Sequence, residues 1–293
     1  MTKSIVTGGA GFIGSHMVSL LLEKGHDVCV IDNFSTGKAK NLPFPTSSKD
    51  INTINIQDSI FEGADYFFHF AGIPSIRPSL ENPEPYMETN VLGTVRMLEA
   101  ARHAKVKKFV YAASSACYGE ADIHPTPETA AVKIQHPYGL SKHQGEMCTM
   151  HWGETFGLPV ISLRMFDVYG RNADSTVLKI FLDQKRAGRP YTITGDGKQT
   201  RDFVHVTDVC KAYLMAAESD IKGEIFNVGT QEPQTILYLV QLLGGEITFI
   251  PKRANEPQEH CADITKIKNV LGWEPTVKFE DGIADVLKSI EPA

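Results

Sequence analysis

The sequence predicts an α/β fold built on a doubly wound parallel sheet, and three observations predict it. A β-branched strand runs straight into a glycine-rich turn at residues 4–14. Short apolar runs then alternate with helix-period segments through the first half of the chain. Those runs stop at Gly8, at Ala71-Gly72 and at Ser114, small or polar residues suited to the strand ends where such sheets bind their ligands.

Taken in order, Ile5-Val6-Thr7 is a buried strand that ends at glycine. Gly8, Gly11 and Gly14 follow at three-residue spacing, and Gly9, Gly11 and Gly14 also satisfy G-x-G-x-x-G. Without Cβ atoms the chain turns sharply, admits a pyrophosphate to its backbone and packs the next helix close to the strand. Met17, Val18, Leu20, Leu21 and Leu22 give that helix a broad apolar face, which Gly25 ends. Val28 to Ile31 is the second strand, with Asp32 at its carboxyl end. A carboxylate there accepts both ribose hydroxyls of an adenosine and repels a 2′-phosphate. The unit therefore reads as a dinucleotide site for NAD rather than NADP.

The polar loop 33–41 is placed to touch the adenosine ribose, and residues 51–56 read as a weak third strand. Asn55-Ile56-Gln57-Asp58 leaves polar groups where an adenine would lie. Residues 66–70 form a fourth strand, 84–104 a helix and 108–112 a further strand that runs into Ser114. After a proline-rich loop, Pro137-Tyr138-Gly139-Leu140-Ser141-Lys142 opens a helix. Tyr138 and Lys142 are four apart and share one helical face. An ammonium beside a phenol favours the phenolate, which would fit Tyr138 as a proton acceptor. Ser114 would share a hydrogen bond with the same substrate oxygen. On spacing alone, Tyr-x-x-x-Lys also occurs in amphipathic surface helices; the preceding dinucleotide unit and serine-rich strand end make it specific.

Bulk properties agree. The chain has 293 residues and a net charge of −6, which disfavours nucleic acid or an anionic membrane as partner. Lysines 105, 107 and 108 read as solvated helix ends. Five cysteines without a C-x-x-C pair read as reduced thiols, no metal cluster stands out, and the N-terminus enters a strand directly, so a cytoplasmic protein is expected.

The chain resembles the extended short-chain dehydrogenases/reductases of the nucleotide-sugar epimerase and dehydratase group, most of all the UDP-hexose 4-epimerases. The resemblance rests on residues 7–16, 32–33, 69–72, 90–94, 114–119, 138–142, 163–170, 195–197, 201–203, 226–229 and 271–273. It implies a Rossmann domain at residues 1–166 and a smaller C-terminal nucleotide-sugar-binding domain at 167–293, with some elements returning to the first. It implies Ser114, Tyr138 and Lys142 as the catalytic trio. NAD would be held by Gly8, Gly11, Phe12, Ile13, Gly14, Asp32, Asn33, Asn55, Ile56, Phe70, Ala71, Gly72, Asn90, Tyr138 and Lys142. Ser114, Ser115, Asp167, Arg201, Arg253, Glu256 and His260 would face the substrate, the two arginines on its diphosphate. A helix over 177–188 would cover the base.

Two departures from the group's pattern stand out. Asp167 replaces an amide that donates toward the diphosphate, and a carboxylate there is repulsive unless protonated, turned away or engaged by a cation. Ser115-Ala116 replaces the Asp-Glu pair of 4,6-dehydratases. The resemblance therefore implies a 4-epimerase working through a transient 4-keto sugar, with a UDP-sugar as substrate. Dehydratase, decarboxylase or dehydrogenase chemistry, or a silent NAD or nucleotide-sugar sensor, are the alternatives. A homodimer through the helices at 84–104 and 138–156 is also implied, with Met97, Leu98, Met147, Cys148 and Trp152 as its apolar face. His260 falls where 4-epimerases place a residue against the C2 substituent, and its bulk favours plain hexoses.

Overall fold

The computed structural model describes residues 1–173, 176–252 and 258–289. In chain order its elements begin with β1 (Lys3–Thr7), α1 (Phe12–Glu23), β2 (Asp27–Ile31), β3 (Tyr66–His69) and α2 (Ile76–Glu81). Next come α3 (Glu84–Met87), α4 (Thr94–Ala104), β4 (Lys108–Ser114), α5 (Pro137–Phe156) and β5 (Val160–Met165). They continue as β6 (Asp167–Tyr169), α6 (Val177–Arg186), β7 (Tyr191–Thr194), β8 (Thr200–Arg201), β9 (Phe203–His205) and α7 (Val206–Glu218). The last are β10 (Glu224–Val228), β11 (Gln234–Thr235), α8 (Ile236–Leu243), β12 (Ile247–Ile250), α9 (Thr265–Leu271) and α10 (Phe279–Lys288).

Two compact units result. The first comprises Met1–Cys117, Ile134–Arg164 and Cys210–Phe226. Its six-stranded parallel sheet has the order β10-β5-β4-β3-β1-β2, so strand order reverses between β1 and β3, the point where such sheets bind ligands. Its core contains a ladder of rings across the sheet face: Phe61 stacks on Phe67 at 6.0 Å and Phe67 on Phe109 at 5.1 Å. Each such pair adds about 0.5–1.5 kcal/mol beyond the area it buries.

Three expectations change here. Residues 51–56 form turns instead of a strand. Asp50 takes the amides of Asn52, Thr53 and Ile54, and the Asn55 side chain takes that of Gln57, so local Asx turns consume the donors a sheet ladder needs. The helix at 84–104 is interrupted by a π turn at Glu88–Gly93, which turns Asn90 inward. Lys108 is buried rather than solvated, and its ammonium donates to the carbonyls of Ser219 and Ile221.

The second unit comprises Tyr118–Lys133, Met165–Val209 and Asn227–Ala293. Parallel pairs β6–β9 and β7–β12 and the antiparallel pair β8–β11 surround a core that includes Tyr169, Phe181, Tyr191, Leu239 and Ile283. Buried Asp208 accepts bonds from the Thr276 amide and hydroxyl and the Val277 amide, while its carbonyl receives the Trp273 indole N–H. Among the described residues, no helix is long and apolar enough to cross a membrane.

Candidate active site

The turn after β1 is shaped by its glycines for different reasons. Gly8 has φ +69° and its added Cβ would lie 2.7 Å from the Ala71 nitrogen, so it serves both the turn and the close approach of the loop after β3. At Gly14 a Cβ would fall 2.1 Å from the Gly8 carbonyl oxygen, which makes glycine the condition for seating α1. Gly11 differs, since a Cβ there would meet only that oxygen, at 3.1 Å. Internal packing hardly demands glycine at 11, whereas an approaching pyrophosphate does. Gly11 caps α1 without a side-chain bond, and the helix begins Phe12-Ile13-Gly14, so unpaired backbone N–H groups are available to an anion.

Asp32 is nearly buried. Its carboxylate accepts from the Ala10 amide at 2.9 Å and the Phe34 amide at 2.8 Å, one on each oxygen. The side chain is thereby fixed, and lone pairs remain for two ribose hydroxyls. Asn33 is exposed and bonds Asp50 and Ser35. Asn55 is exposed in its Asx turn, with Ile56 half-buried beside it. Glycine cradle, open helix end and anchored carboxylate all fit NAD.

At the switch point, Phe70 lies against Tyr213 at 4.6 Å, and a directional chain of bonds joins β1, β3 and the π turn. The Ala71 amide donates to Thr7 Oγ1, which bonds His69 Nδ1; His69 Nε2 bonds Thr94 Oγ1, which donates to the Asn90 carbonyl. Since Thr94 spends its proton on Asn90, His69 must donate from Nε2 and accept at Nδ1. That chain needs a neutral imidazole, and burial, helped by the Lys142 charge, pushes its pKa down to about 3. The Asn90 side chain is occupied within the protein. It accepts from the Ile73 amide and donates to the Ile73 carbonyl and Ser141 Oγ. Gly72 lies beside it, where a Cβ would be 3.0 Å from Asn90 Oδ1.

Ser114 ends β4 beside the Tyr138 phenol. Burial raises the phenol's pKa above its ordinary value, and the Ser114 side chain opposes that rise. The depression expected from Lys142 does not appear. The Lys142 ammonium sits over the Tyr111 ring, 4.7 Å from its centre, and burial brings its own pKa down to about 8. Tyr138 is also held by His136, whose ring stacks on it at 6.0 Å and whose Nδ1 accepts from the Gly139 amide as the cap of α5. Ser115 is buried in the short 3-10 turn Ser115–Cys117. Cys117 lies in that turn rather than in a strand, and burial pushes its thiol up to about 12.

One turn beyond Lys142, Glu146 meets Arg164 of β5. Arg164 Nη2 lies 2.6 Å from Oε1 and Nε 3.0 Å from Oε2, and Ser162 adds a third donor at 2.9 Å. Burial alone would raise this carboxyl's pKa; nearby His143, the bonds from Arg164 and Ser162 and the Arg164 charge outweigh it and hold it at about 2.

In the second unit, Asp167 and His260 come together, with Nδ1 to Oδ2 at 2.5 Å. The imidazole also lies on Phe166 at 4.6 Å. Burial pushes the Asp167 carboxyl up, but the charge and hydrogen bond of His260 and the charge of Arg201 bring it below its ordinary value. Arg201 lies on β8 and donates to the Thr200 carbonyl. Next to it, fully buried Asp202 accepts from the Thr230 amide and hydroxyl and the amides of Gln231 and Ala262. The sequence reading missed this brace, and also the cap at His136, which a polar residue directly before a proline at a helix start could have signalled. Arg253 and Glu256 lie outside the described residues.

A family model described as the NAD dependent epimerase/dehydratase family matches residues 4–229. A UDP-glucose 4-epimerase of Mycolicibacterium smegmatis is 34% identical over 305 residues, covering 98% of this chain and 97% of the relative. The structure of a UDP-N-acetylglucosamine 4-epimerase from Methanobrevibacter ruminantium M1, in complex with UDP-N-acetylmuramic acid, matches with TM-score 0.93. It is 30% identical, with 98% of this chain and 97% of that one covered. A UDP-glucuronic acid 4-epimerase from Bacillus cereus, in complex with UDP-glucuronic acid and NAD, matches with TM-score 0.92. That chain is 31% identical, with 99% and 100% covered.

Proposed function

The chain belongs to the NAD-dependent epimerase/dehydratase family and is a nucleotide-sugar epimerase that uses NAD; from that premise we propose that it is a UDP-hexose 4-epimerase of the UDP-glucose/UDP-galactose type. The observation that carries this reading is the placing of the Tyr138 phenol beside Ser114, one helical turn from buried Lys142. Tyr138 takes the proton of the sugar 4-hydroxyl, with Ser114 bonded to the same oxygen. NAD, held by these residues, would supply the hydride chemistry at C4. Loss of the O–H proton and the C4 hydride leaves a 4-keto sugar, and return of both with the hydride on the opposite face yields the epimer. Lys142 holds the nicotinamide ribose, and Asp32 the adenosine ribose. Phe12, Ile13, Asn33, Asn55, Ile56, Phe70, Ala71 and Gly72 complete the cofactor contacts.

Arg201 and Arg253 take the diphosphate, Glu256 the nucleotide ribose, and Ser115, Asp167 and His260 the remaining substrate contacts. A 4,6-dehydratase needs an acid and a base beyond the tyrosine, and Ser115-Ala116 offers neither. The functional form in this reading is a cytoplasmic homodimer, with residues 1–166 as the cofactor domain and 167–293 as the substrate domain. The test is to denature purified protein, identify the released dinucleotide, and screen UDP-, dTDP-, GDP- and CDP-sugars by NMR. Inversion at C4 of UDP-glucose or UDP-galactose supports the reading. Net NADH formation, loss of water or carbon dioxide, or no turnover would replace it.

A further inference from the structure

Tyr138 is the second residue of α5, and its backbone is held in an unusual way. Proline occupies the first position and brings no N–H. The third amide, Gly139, is capped locally by His136 at 2.9 Å. The Tyr138 amide is instead capped from 59 residues away in sequence: it donates to Ser79 Oγ at 3.2 Å. The Ser79 hydroxyl in turn donates to the Ile76 carbonyl at 2.6 Å, so its proton and a lone pair are both committed.

The Tyr138 carbonyl is held from the other side. Ser141 Oγ donates to it at 2.9 Å and accepts from Asn90 Nδ2 at 2.9 Å. Asn90 then returns to the same connecting segment, accepting from the Ile73 amide at 2.7 Å. Donors and acceptors match at every step, so the circuit closes from residue 73, through Asn90, Ser141, Tyr138 and Ser79, back to residue 76. Ser79 and Ser141 are 0% exposed and Asn90 1%, so no water substitutes for a lost partner without cost. Tyr86 strengthens the link, its hydroxyl bonding the Pro74 carbonyl and its ring meeting Tyr138 edge-on at 6.4 Å.

The segment within this circuit is strained. Ser75 has φ +86° and ψ 132°, a conformation that L-residues rarely adopt. Such a residue costs about 1–3 kcal/mol and persists where its surroundings over-determine it. The bonds at residues 73, 74 and 76 flank it on both sides.

We propose that Ser79, with Asn90 and Ser141, is a positioning residue that holds the Tyr138 backbone, and through it the phenol, in place beside Ser114. This rests on Tyr138 being the acid/base of the proposed reaction. Ser79 does not touch the phenol; it acts through the helix start. Loosening the amide lets the phenol shift away from Ser114, and because Ser114 opposes the rise of the phenol's pKa, the phenol should titrate higher.

The test uses the full chain with its bound dinucleotide and tyrosine labelled with 13C at Cζ, the Tyr138 signal being assigned by its loss in Tyr138→Phe. In Ser79→Ala the Tyr138 midpoint should move up, in the same direction as in Ser114→Ala. It should move no further when Ser79→Ala is added to Ser114→Ala. Turnover of Ser79→Ala should fall roughly tenfold to a hundredfold, the scale of a small misplacement, with KM nearly unchanged. An unchanged midpoint and turnover in a folded Ser79→Ala protein, or a shift that adds in full to that of Ser114→Ala, overturns the proposal. If Ser79→Ala does not fold, Ser141→Ala removes the other hold and is judged by the same criteria. A wild type that epimerises no UDP-sugar defeats the proposed function, while the titration still decides the role of Ser79.

Discussion

The His260 imidazole donates to the Asp167 carboxylate across 2.5 Å, so the carboxylate that departs from the family's pattern meets the residue expected at the sugar's C2 substituent. A carboxylate in place of an amide is repulsive toward a diphosphate unless a cationic partner engages it. His260 and Arg201 supply that engagement and bring the Asp167 pKa below its ordinary value. His260→Ser should therefore expose the charge and raise KM for the UDP-sugar roughly tenfold or more, as like-charge juxtaposition does. Asp167→Asn in the same chain should restore it. A double variant as weak as the single one would mean that Asp167 is not the source of the defect.

Tyr138→Phe should abolish turnover while leaving the dinucleotide bound. The phenol is the one base assigned to the 4-hydroxyl, and its loss should cost roughly 10²–10⁴ in rate. Lys142→Met should also slow turnover and move its optimum to higher pH. Wild-type kcat/KM should decline as pH rises through about 8, where burial makes the ammonium lose its proton, and the variant should lack that decline. Steady-state rates across pH, with released NAD quantified for each variant, check both expectations.

Glu146 gives the fold an acid-sensitive contribution. Its pKa falls from an ordinary 4.5 to about 2 on folding, so its stabilisation is complete above about 4.5 and is lost as pH falls through 2. Glu146→Gln should flatten the stability curve in that window. Arg164→Met should lower stability at neutral pH by about 3–5 kcal/mol, because it strands a buried carboxylate. Urea melts between pH 2 and 7 provide the measurement, and parallel curves for wild type and Glu146→Gln would count against the assignment.

Dimerisation is expected through α4 and α5, though of the face read from the sequence only Met147 is exposed. Met97 and Leu98 are fully buried in the core, and Cys148 and Trp152 pack against it. Phe156 of α5 and Leu92 of the π turn before α4 add exposed apolar surface to Met147. Light scattering at micromolar concentration should report a dimer for wild type, and Met147→Lys should shift it toward monomer. A wild-type monomer would refute the expectation.

Much of the first unit was legible because its signals are local: a glycine turn, a terminal Asp32, and Tyr138 and Lys142 on one helical face. What escaped depended on three-dimensional neighbours. Asp50 and Asn55 convert an apolar run into turns through backbone bonds that hydrophobic periodicity does not register. The phenol's pKa follows burial and Ser114 because the lysine beside it in the helix sits over Tyr111 instead. Ser79 reaches Tyr138 from 59 residues away, and no spacing rule connects them. Asp167 reads in the sequence as a departure and His260, 93 residues away, as a matter of bulk, and their pairing explains the carboxylate only once both are in place.

That pairing also separates charge from size at His260. Its bulk predicts a preference for UDP-glucose and UDP-galactose over the N-acetylated pair. His260→Ser alone tests this poorly, because it uncovers Asp167 while it removes bulk. The comparison is cleaner between Asp167→Asn and Asp167→Asn/His260→Ser, where the carboxylate is absent from both. If bulk gates the sugar, the double variant should raise kcat/KM for UDP-N-acetylglucosamine relative to UDP-glucose by roughly tenfold or more, the scale on which a hydrophobic pocket discriminates by size. An unchanged ratio would mean that His260 does not gate the site. A wild type that already prefers the acetylated sugar would show that the size argument is wrong.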